Sequence, residues 1–357
     1  MEGMCLSKEK RILPKLSGWQ WFNCISLLLI ALAIWGAVVS SQGISGLFSR
    51  LASLDLRWMA LAAACMIAYW VLEACALNWL ISCLYQGASF LANVRTAMIG
   101  QLYSALTPFS SGGQPVQLMY MHRDGMDTGG GASVLVVKSV LYQVGIILMA
   151  FLPLMTSYHL FSARVPAFGW LAALGFGSNL IVTAGMILLA IYPLATRRLY
   201  SFCVKVLHAF RIVRDADATI AKAQIQFDIY RESTLRYEKK RAVLGGVIAV
   251  TLVQLSLLYL VPYTIYRAFG LHEPGILVHT VAAVAFVSMV SAFVPLPGGS
   301  GGAEGTFLLF FAKFFPEDLL VAMLLWRLIT YYAGMVVGTS IMLISRKRQR
   351  SVVRLSS

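Results

Sequence analysis

Charge is what this sequence lacks. Only 12% of its 357 residues are charged, 59% are hydrophobic, and mean hydropathy is +0.75. A soluble domain needs far more polar surface to cover its core, so the composition excludes a soluble enzyme and indicates an integral membrane protein. Length then allows about eight membrane-crossing or membrane-entering segments, not an anchor carrying a large soluble domain. Cysteine is sparse too. Cys5, Cys24, Cys65, Cys75, Cys83 and Cys203 form no C-x-x-C pair, which argues against a disulfide framework or a thiolate metal site. His122, His159, His208, His272 and His279 lack ligand spacing, so neither metal nor cofactor is expected. No H-E-x-x-H, G-x-S-x-G or G-x-x-x-x-G-K motif occurs, and no residue is assigned a catalytic role. Gly129-Gly130-Gly131 follows no strand and reads as a loop leading into the next helix.

Acidic residues are outnumbered, 15 against 29 Lys plus Arg, which gives a net charge of +14. The cations fall in three groups: Lys8, Lys10, Arg11 and Lys15; eleven between Arg197 and Arg241; and Arg346, Lys347, Arg348, Arg350 and Arg354. Positive residues stay on the cytoplasmic side, so both termini and the 193–241 loop are expected inside a cell-membrane protein. Anionic phospholipid headgroups match this excess better than nucleic acid, which would want a basic soluble domain.

Apolar runs long enough to span lie at 21–41, 58–84, 132–157, 167–192, 242–267 and 319–344. The run at 21–41 reads as a retained span, because a cleaved signal has a shorter apolar core. Two further apolar stretches, 93–121 and 276–315, are interrupted by Pro/Ser/Gly motifs. An odd crossing at 93–121 would put the 193–241 loop on the wrong side. The simplest solution makes 93–121 a re-entrant hairpin from the cytoplasmic side and 276–315 one from outside; two full crossings at 276–294 and 303–315 would also preserve parity. Trp19, Trp21, Trp58 and Trp170 fall at span ends and read as interface anchors.

The two interruptions are related. Pro108-Phe109-Ser110-Ser111-Gly112-Gly113 answers Pro297-Gly298-Gly299-Ser300-Gly301-Gly302 at an offset of 189, and Lys138, Tyr142 and Gly145 answer Arg327, Tyr331 and Gly334. The expected fold is therefore an all-α polytopic helical bundle with an inverted repeat and two broken hairpins. Its divisions are a cytoplasmic segment at 1–20, a first membrane half at 21–192, a basic linker at 193–241, a second half at 242–345 and a basic tail at 346–357. Unwound backbone in hydrocarbon needs burial in protein or a watery cavity, so two breaks argue for a polar cavity between the halves. In the linker, Leu199, Phe202, Val206, Phe210 and Val213 recur at helical spacing among cations. That pattern fits either an amphipathic helix on the inner leaflet or a charged helical linker.

The candidate substrate-binding residues surround these motifs. Gly112, Gly113 and Gln114 in the first half, and Gly301 and Gly302 in the second, sit where helix N-termini would attract a phosphate; the alternative is a tight turn with close helix packing. Lys138 and Arg327 are cations inside apolar helices, placed to hold one phosphate from either leaflet or to snorkel to the interface. Glu73 and Glu304 are acids at membrane depth, available for proton coupling or substrate contact, or for ion pairs with Lys138, Lys313 or Arg327. Gln117, Tyr142 and Tyr331 add hydrogen-bonding groups, with Gln101, Tyr103 and Gln143 nearby.

The segments Ser104–Pro115 and Val294–Gly305, with their Pro/Gly breaks, resemble the flippase-like membrane domain of lysylphosphatidylglycerol synthases, which small stand-alone bacterial and archaeal membrane proteins share. The likeness runs from the first span to residue 344. It implies a helical bundle that moves or holds a modified phospholipid and is linked to resistance against cationic antimicrobial peptides. The family often has Arg at positions matching Gln117 and Lys138, so the first-half headgroup contacts are expected to differ here. Full synthases carry a soluble aminoacyl-transferase domain after the membrane part, and this chain is expected to be a stand-alone member without it. Three functions follow as expectations. One is a translocase or binder of an anionic or aminoacylated phospholipid or a polyprenyl-phosphate. Another is a phosphatidylglycerol lysyltransferase or its membrane subunit with a soluble partner, for which no residue here could bind and use aminoacyl-tRNA. The third is a scaffold.

Overall fold

The computed structural model describes residues 45–162, 168–209, 215–291, 294 and 296–355, with a few positions between 32 and 43. The expected span at 21–41, the N-terminal cations with Trp19 and Trp21, and residues 210–214 lie wholly or almost wholly outside the described residues. Twelve helices follow residue 55 among those described. They are α1 (Leu56–Leu84), α2 (Phe90–Leu106), α3 (Gly113–Arg123), α4 (Thr128–Ser162), α5 (Phe168–Ile191) and α6 (Pro193–Ala209). Then come α7 (Ala216–Glu238), α8 (Arg241–Ala268), α9 (Ile276–Ser291), α10 (Gly302–Phe311), α11 (Leu319–Arg327) and, after a π turn at Leu328–Tyr332, α12 (Ala333–Leu355). No strand occurs among the described residues, and the protein is an all-α polytopic membrane protein.

Helix length sorts the elements. Among the described residues, five stretches are long and apolar enough to cross a bilayer: Leu56–Leu84, Thr128–Phe151, Phe168–Leu188, Arg241–Ala268 and Leu319–Ser345. By contrast α9 has 16 residues and α10 has 10. At 1.5 Å per residue these reach about 24 and 15 Å, short of the roughly 30 Å hydrocarbon core. Two full crossings at 276–294 and 303–315 are therefore disfavoured, and a broken hairpin fits.

The helices repeat. With the 189-residue offset, α1 through α4 fall on α8, α9, α10 and the run from α11 to α12. The halves are inverted, because α1 and α8 pack antiparallel. Asp55 N donates to Ala268 O at 3.0 Å at one end, and Tyr237 OH donates to Leu80 O at 2.7 Å at the other. Each half lends its last long helix to its neighbour: α12 packs on α2, and α4 packs on α9. The hairpin α2–α3 has its base at the Tyr237 end, where Arg95 pairs with Asp124 at 2.6 Å. The hairpin α9–α10 has its base at the opposite end, where Arg50 meets Glu317 at 3.0 Å and Asp318 at 3.2 Å. Their tips meet, since Pro108 and Pro297, equivalent positions, form an antiparallel bridge. A residue paired with its own repeat image is what a pseudo-two-fold axis through the contact requires.

Both tips turn through left-handed backbone, by different chemistry. Gly298 and Gly299 have φ of 60° and 63°, and their equivalents Phe109 and Ser110 have 52° and 54°. Glycine adopts this region freely, whereas a Cβ makes it costly. Ser110→Gly should therefore raise stability by up to about 1 kcal/mol, after the entropy that glycine adds to the unfolded chain. A melting temperature in detergent that does not rise would show the strain is relieved elsewhere.

Two expectations change. Gly129, Gly130 and Gly131 are not a loop but part of the first turn of α4, because α7 is packed against them: Gly129 N donates to Gln226 Oε1 at 2.8 Å, and a Cβ there would strike the α7 backbone. The 193–241 linker holds two helices, α6 and α7, where the sequence suggested one. α7 docks under α4, with Ser133 Oγ 2.9 Å from Thr234 Oγ1.

Candidate functional site

Each half holds one cation on its last long helix, Arg327 buried and Lys138 partly buried, and neutralises it with a glutamate, yet the glutamates come from non-equivalent places. Lys138 of α4 pairs with Glu73 of α1. Glu73 Oε2 also accepts from Gln254 Nε2 of α8 at 3.0 Å, so one carboxylate ties the two halves together. Arg327 of α11 pairs with Glu304 in the first turn of α10, Nε to Oε1 at 2.7 Å. The positions equivalent to Glu73 and Glu304 are Pro262 and Pro115. The scaffold is symmetric and its charge pairs are not.

The surroundings differ as much. Around Lys138 is a cavity of about 280 Å³ between α1, α2, α3, α4 and α5. It brings together Glu73, Gly113, Gln114, Gln117, Lys138 and Tyr142, all expected from the sequence. Gln101 and Gln143 join them. Gln114 Nε2 donates to Ser139 Oγ at 2.6 Å, Gln143 Nε2 donates to Asn179 Oδ1 at 2.7 Å, and the hydroxyls of Tyr69 and Tyr142 lie 3.4 Å apart. Val182 and Met186 of α5 complete the wall, and both Val182 and Gln114 are exposed, so the rim is open at the α5 side.

Around Arg327 the neighbours are aromatic and the cation is buried. Its guanidinium lies 5.1 Å from the ring centroids of both Trp326 and Tyr331, and its residue exposure is 4%. Phe307 stacks on Trp326 at 4.9 Å and on Phe311 at 4.2 Å, sealing the pair under aromatic rings. The Nε–H direction misses the Glu304 oxygen, so the contact is an ion pair without an aligned hydrogen bond, and Arg327 Nη2 is buried with no acceptor among the described residues. Tyr331 OH crosses to the other half and donates to Ala105 O at 2.8 Å.

The helix N-termini at the breaks have internal acceptors. Gly112 N donates to Thr107 Oγ1 at 2.8 Å, and Gly301 N donates to Glu304 Oε2 at 2.6 Å. The glycines also allow close packing: a Cβ on Gly113 would lie 2.7 Å from Gly100 O, and one on Gly302 would enter Val294. Of the two readings of these motifs, tight packing therefore has direct geometric support. The structure thus gathers the first-half candidates other than Gly112 at an open cavity, and Glu304, Arg327 and Tyr331, beside Gly301 and Gly302, in a buried cluster.

Sequence reasoning missed Gln254, Tyr69, Ser139 and Asn179. Gln254 and Asn179 carried a signal, as amides in otherwise apolar spans, but nothing linear ties them to Glu73 or Gln143. Among the described residues no group of His, Cys, Asp and Glu could hold a metal ion.

Similarity to known proteins agrees with this architecture. A UPF0104 membrane protein of Archaeoglobus fulgidus is 24% identical over 297 residues, covering 79% of this chain and 85% of its own length. Residues 23–338, both repeats included, match the family described as the lysylphosphatidylglycerol synthase TM region. The chain belongs to that family of membrane regions, and its two inverted hairpins lie within the matched residues.

Proposed function

We propose that this protein translocates a phospholipid whose headgroup carries both a phosphate and an amine, in the manner of lysylphosphatidylglycerol. The observation that carries the reading is the neutral, polar cavity at Lys138 and Glu73. Its volume suits a headgroup and not a whole lipid, so the acyl chains would stay outside in the bilayer. A purely anionic headgroup that took Lys138 would leave Glu73 buried beside Gln254 without a counter-charge, which costs about 3–5 kcal/mol. A headgroup bearing phosphate and ammonium replaces both halves of the pair at once: phosphate on Lys138, ammonium on Glu73. That argument favours an aminoacylated phospholipid over a polyprenyl-phosphate.

Transport on this reading uses the repeat. Half one is open at its cation and half two is closed at its own; exchanging the two conformations would open the Arg327 side to the other leaflet. The basic loop side, with both termini, would face the cytoplasm of a cell membrane by the positive-inside rule. A soluble transferase that delivers modified lipid is compatible with this reading, and resistance to cationic peptides would follow from moving such lipid outward.

The test is leaflet exchange in vesicles carrying purified protein. Lysylphosphatidylglycerol and phosphatidylethanolamine should exchange faster than phosphatidylglycerol or a polyprenyl-phosphate. No acceleration for any of the four would sink translocation. Equal acceleration of all four would sink the charge-pair account while leaving translocation standing.

A further inference from the structure

The basic face of α6 is untouched by the cavity mechanism. α5 ends at Ile191 and α6 starts at Pro193, so one residue, Tyr192, separates a membrane-length apolar helix from a basic one. α6 therefore begins at the membrane boundary, with no linker to carry it into water. One side of it packs on α7, where Val204 is buried and Tyr200 meets Phe227 edge-on at 5.2 Å.

The other side carries two adjoining rows. Leu199, Phe202 and Val206 form an exposed apolar row, with Phe202 at 65% exposure. Arg197, Ser201 and Lys205 recur every four residues beside it, with Arg198 alongside. Arg197, Arg198, Ser201, Phe202 and Lys205 border one shallow, open stretch of this helix surface. No ion pair among the described residues engages these three cations. Cations and apolar side chains side by side, on a helix at the bilayer edge, match a surface that is anionic outside and apolar within.

We infer that the outer face of α6 is a binding site for anionic phospholipid, separate from the Lys138 cavity. Lipid phosphates sit on Arg197, Arg198 and Lys205, and the upper acyl chain lies against Leu199, Phe202 and Val206. A soluble acidic partner would also match the cations. It would not explain the apolar row or the placement of α6 directly after a span.

Cys203 lies exposed on this helix and gives a reporter within the full chain. With Cys5, Cys24, Cys65, Cys75 and Cys83 changed to Ala, a bimane on Cys203 is followed in phosphatidylcholine bilayers containing a minority of phosphatidylglycerol. Bromine is placed on the acyl chains of one lipid or the other. Brominated phosphatidylglycerol should quench about fivefold more per molecule, a local enrichment equivalent to about 1 kcal/mol. The triple change Arg197→Gln, Arg198→Gln, Lys205→Gln should bring the two lipids to parity. Equal quenching in the unsubstituted face, or a preference that survives the triple change, overturns the site. No quenching by either lipid would mean that α6 stands off the bilayer, and a soluble partner takes its place. Should the cysteine-depleted chain fail to fold, native mass spectrometry of the wild type and the triple variant counts retained phosphatidylglycerol instead; equal counts overturn the site.

Discussion

Glu304→Ala is expected to cost about 3–5 kcal/mol of stability, the usual penalty for leaving one member of a buried ion pair alone. Glu304 does two things at once. It is the counter-ion of Arg327, with side chains 9% and 5% exposed, and it caps α10 by accepting from Gly301 N. Alanine removes both and leaves a guanidinium under Trp326 and Tyr331 with no anion. Denaturant or thermal unfolding in detergent, read beside the monodisperse yield, measures the loss. Glu304→Gln keeps an acceptor for Gly301 N but not the charge, so it should retain the cap and still be destabilised. Adding Arg327→Met to Glu304→Gln removes the orphaned charge, and stability should return toward wild type. If Glu304→Ala is as stable as the parent, the pair is not the sealed contact described above.

The second large effect is on transport and concerns the open pair. Lys138→Met alone strands Glu73 beside Gln254 and should destabilise by a similar mechanism, which would confound any rate measured on it. The double variant Lys138→Met, Glu73→Gln removes both charges and keeps the amide contact to Gln254. It should fold close to wild type. Leaflet exchange should nevertheless fall about 10–100-fold, because a headgroup loses at least one charge-assisted hydrogen bond of about 1.5–3 kcal/mol. A double variant that folds and transports normally would move this pair to a purely architectural role. Glu73→Gln by itself should shift preference from amino-bearing toward anionic phospholipid, since the ammonium loses its partner and the phosphate keeps Lys138.

These experiments separate two pairs that look alike along the chain. Lys138 and Arg327 sit at matching repeat positions, and from sequence both read as stations for a phosphate. Their neighbours set them apart. Around Lys138 the neighbouring side chains are Gln, Ser and Tyr, and the space between helices stays open. Around Arg327 they are Trp and Tyr, with Phe307 stacked on Trp326, and the cation is buried.

The membrane class, the offset of 189, the two interrupted stretches and the membrane depth of Lys138, Arg327, Glu73 and Glu304 were legible along the chain. Each of those follows from composition, helix length or the high cost of charge in hydrocarbon, which are properties readable along one dimension. Which acid meets which cation was set by how the helices pack. Glu73 and Lys138 are 65 residues apart and Glu73 and Gln254 are 181 apart, and both distances close because α1 crosses antiparallel to α8 beside α4. Only the fold, likewise, left the cation of one half at an open cavity and buried that of the other. Whether two helices enclose a cavity depends on how rings and amides from several elements pack into one volume, and no single segment carries that information.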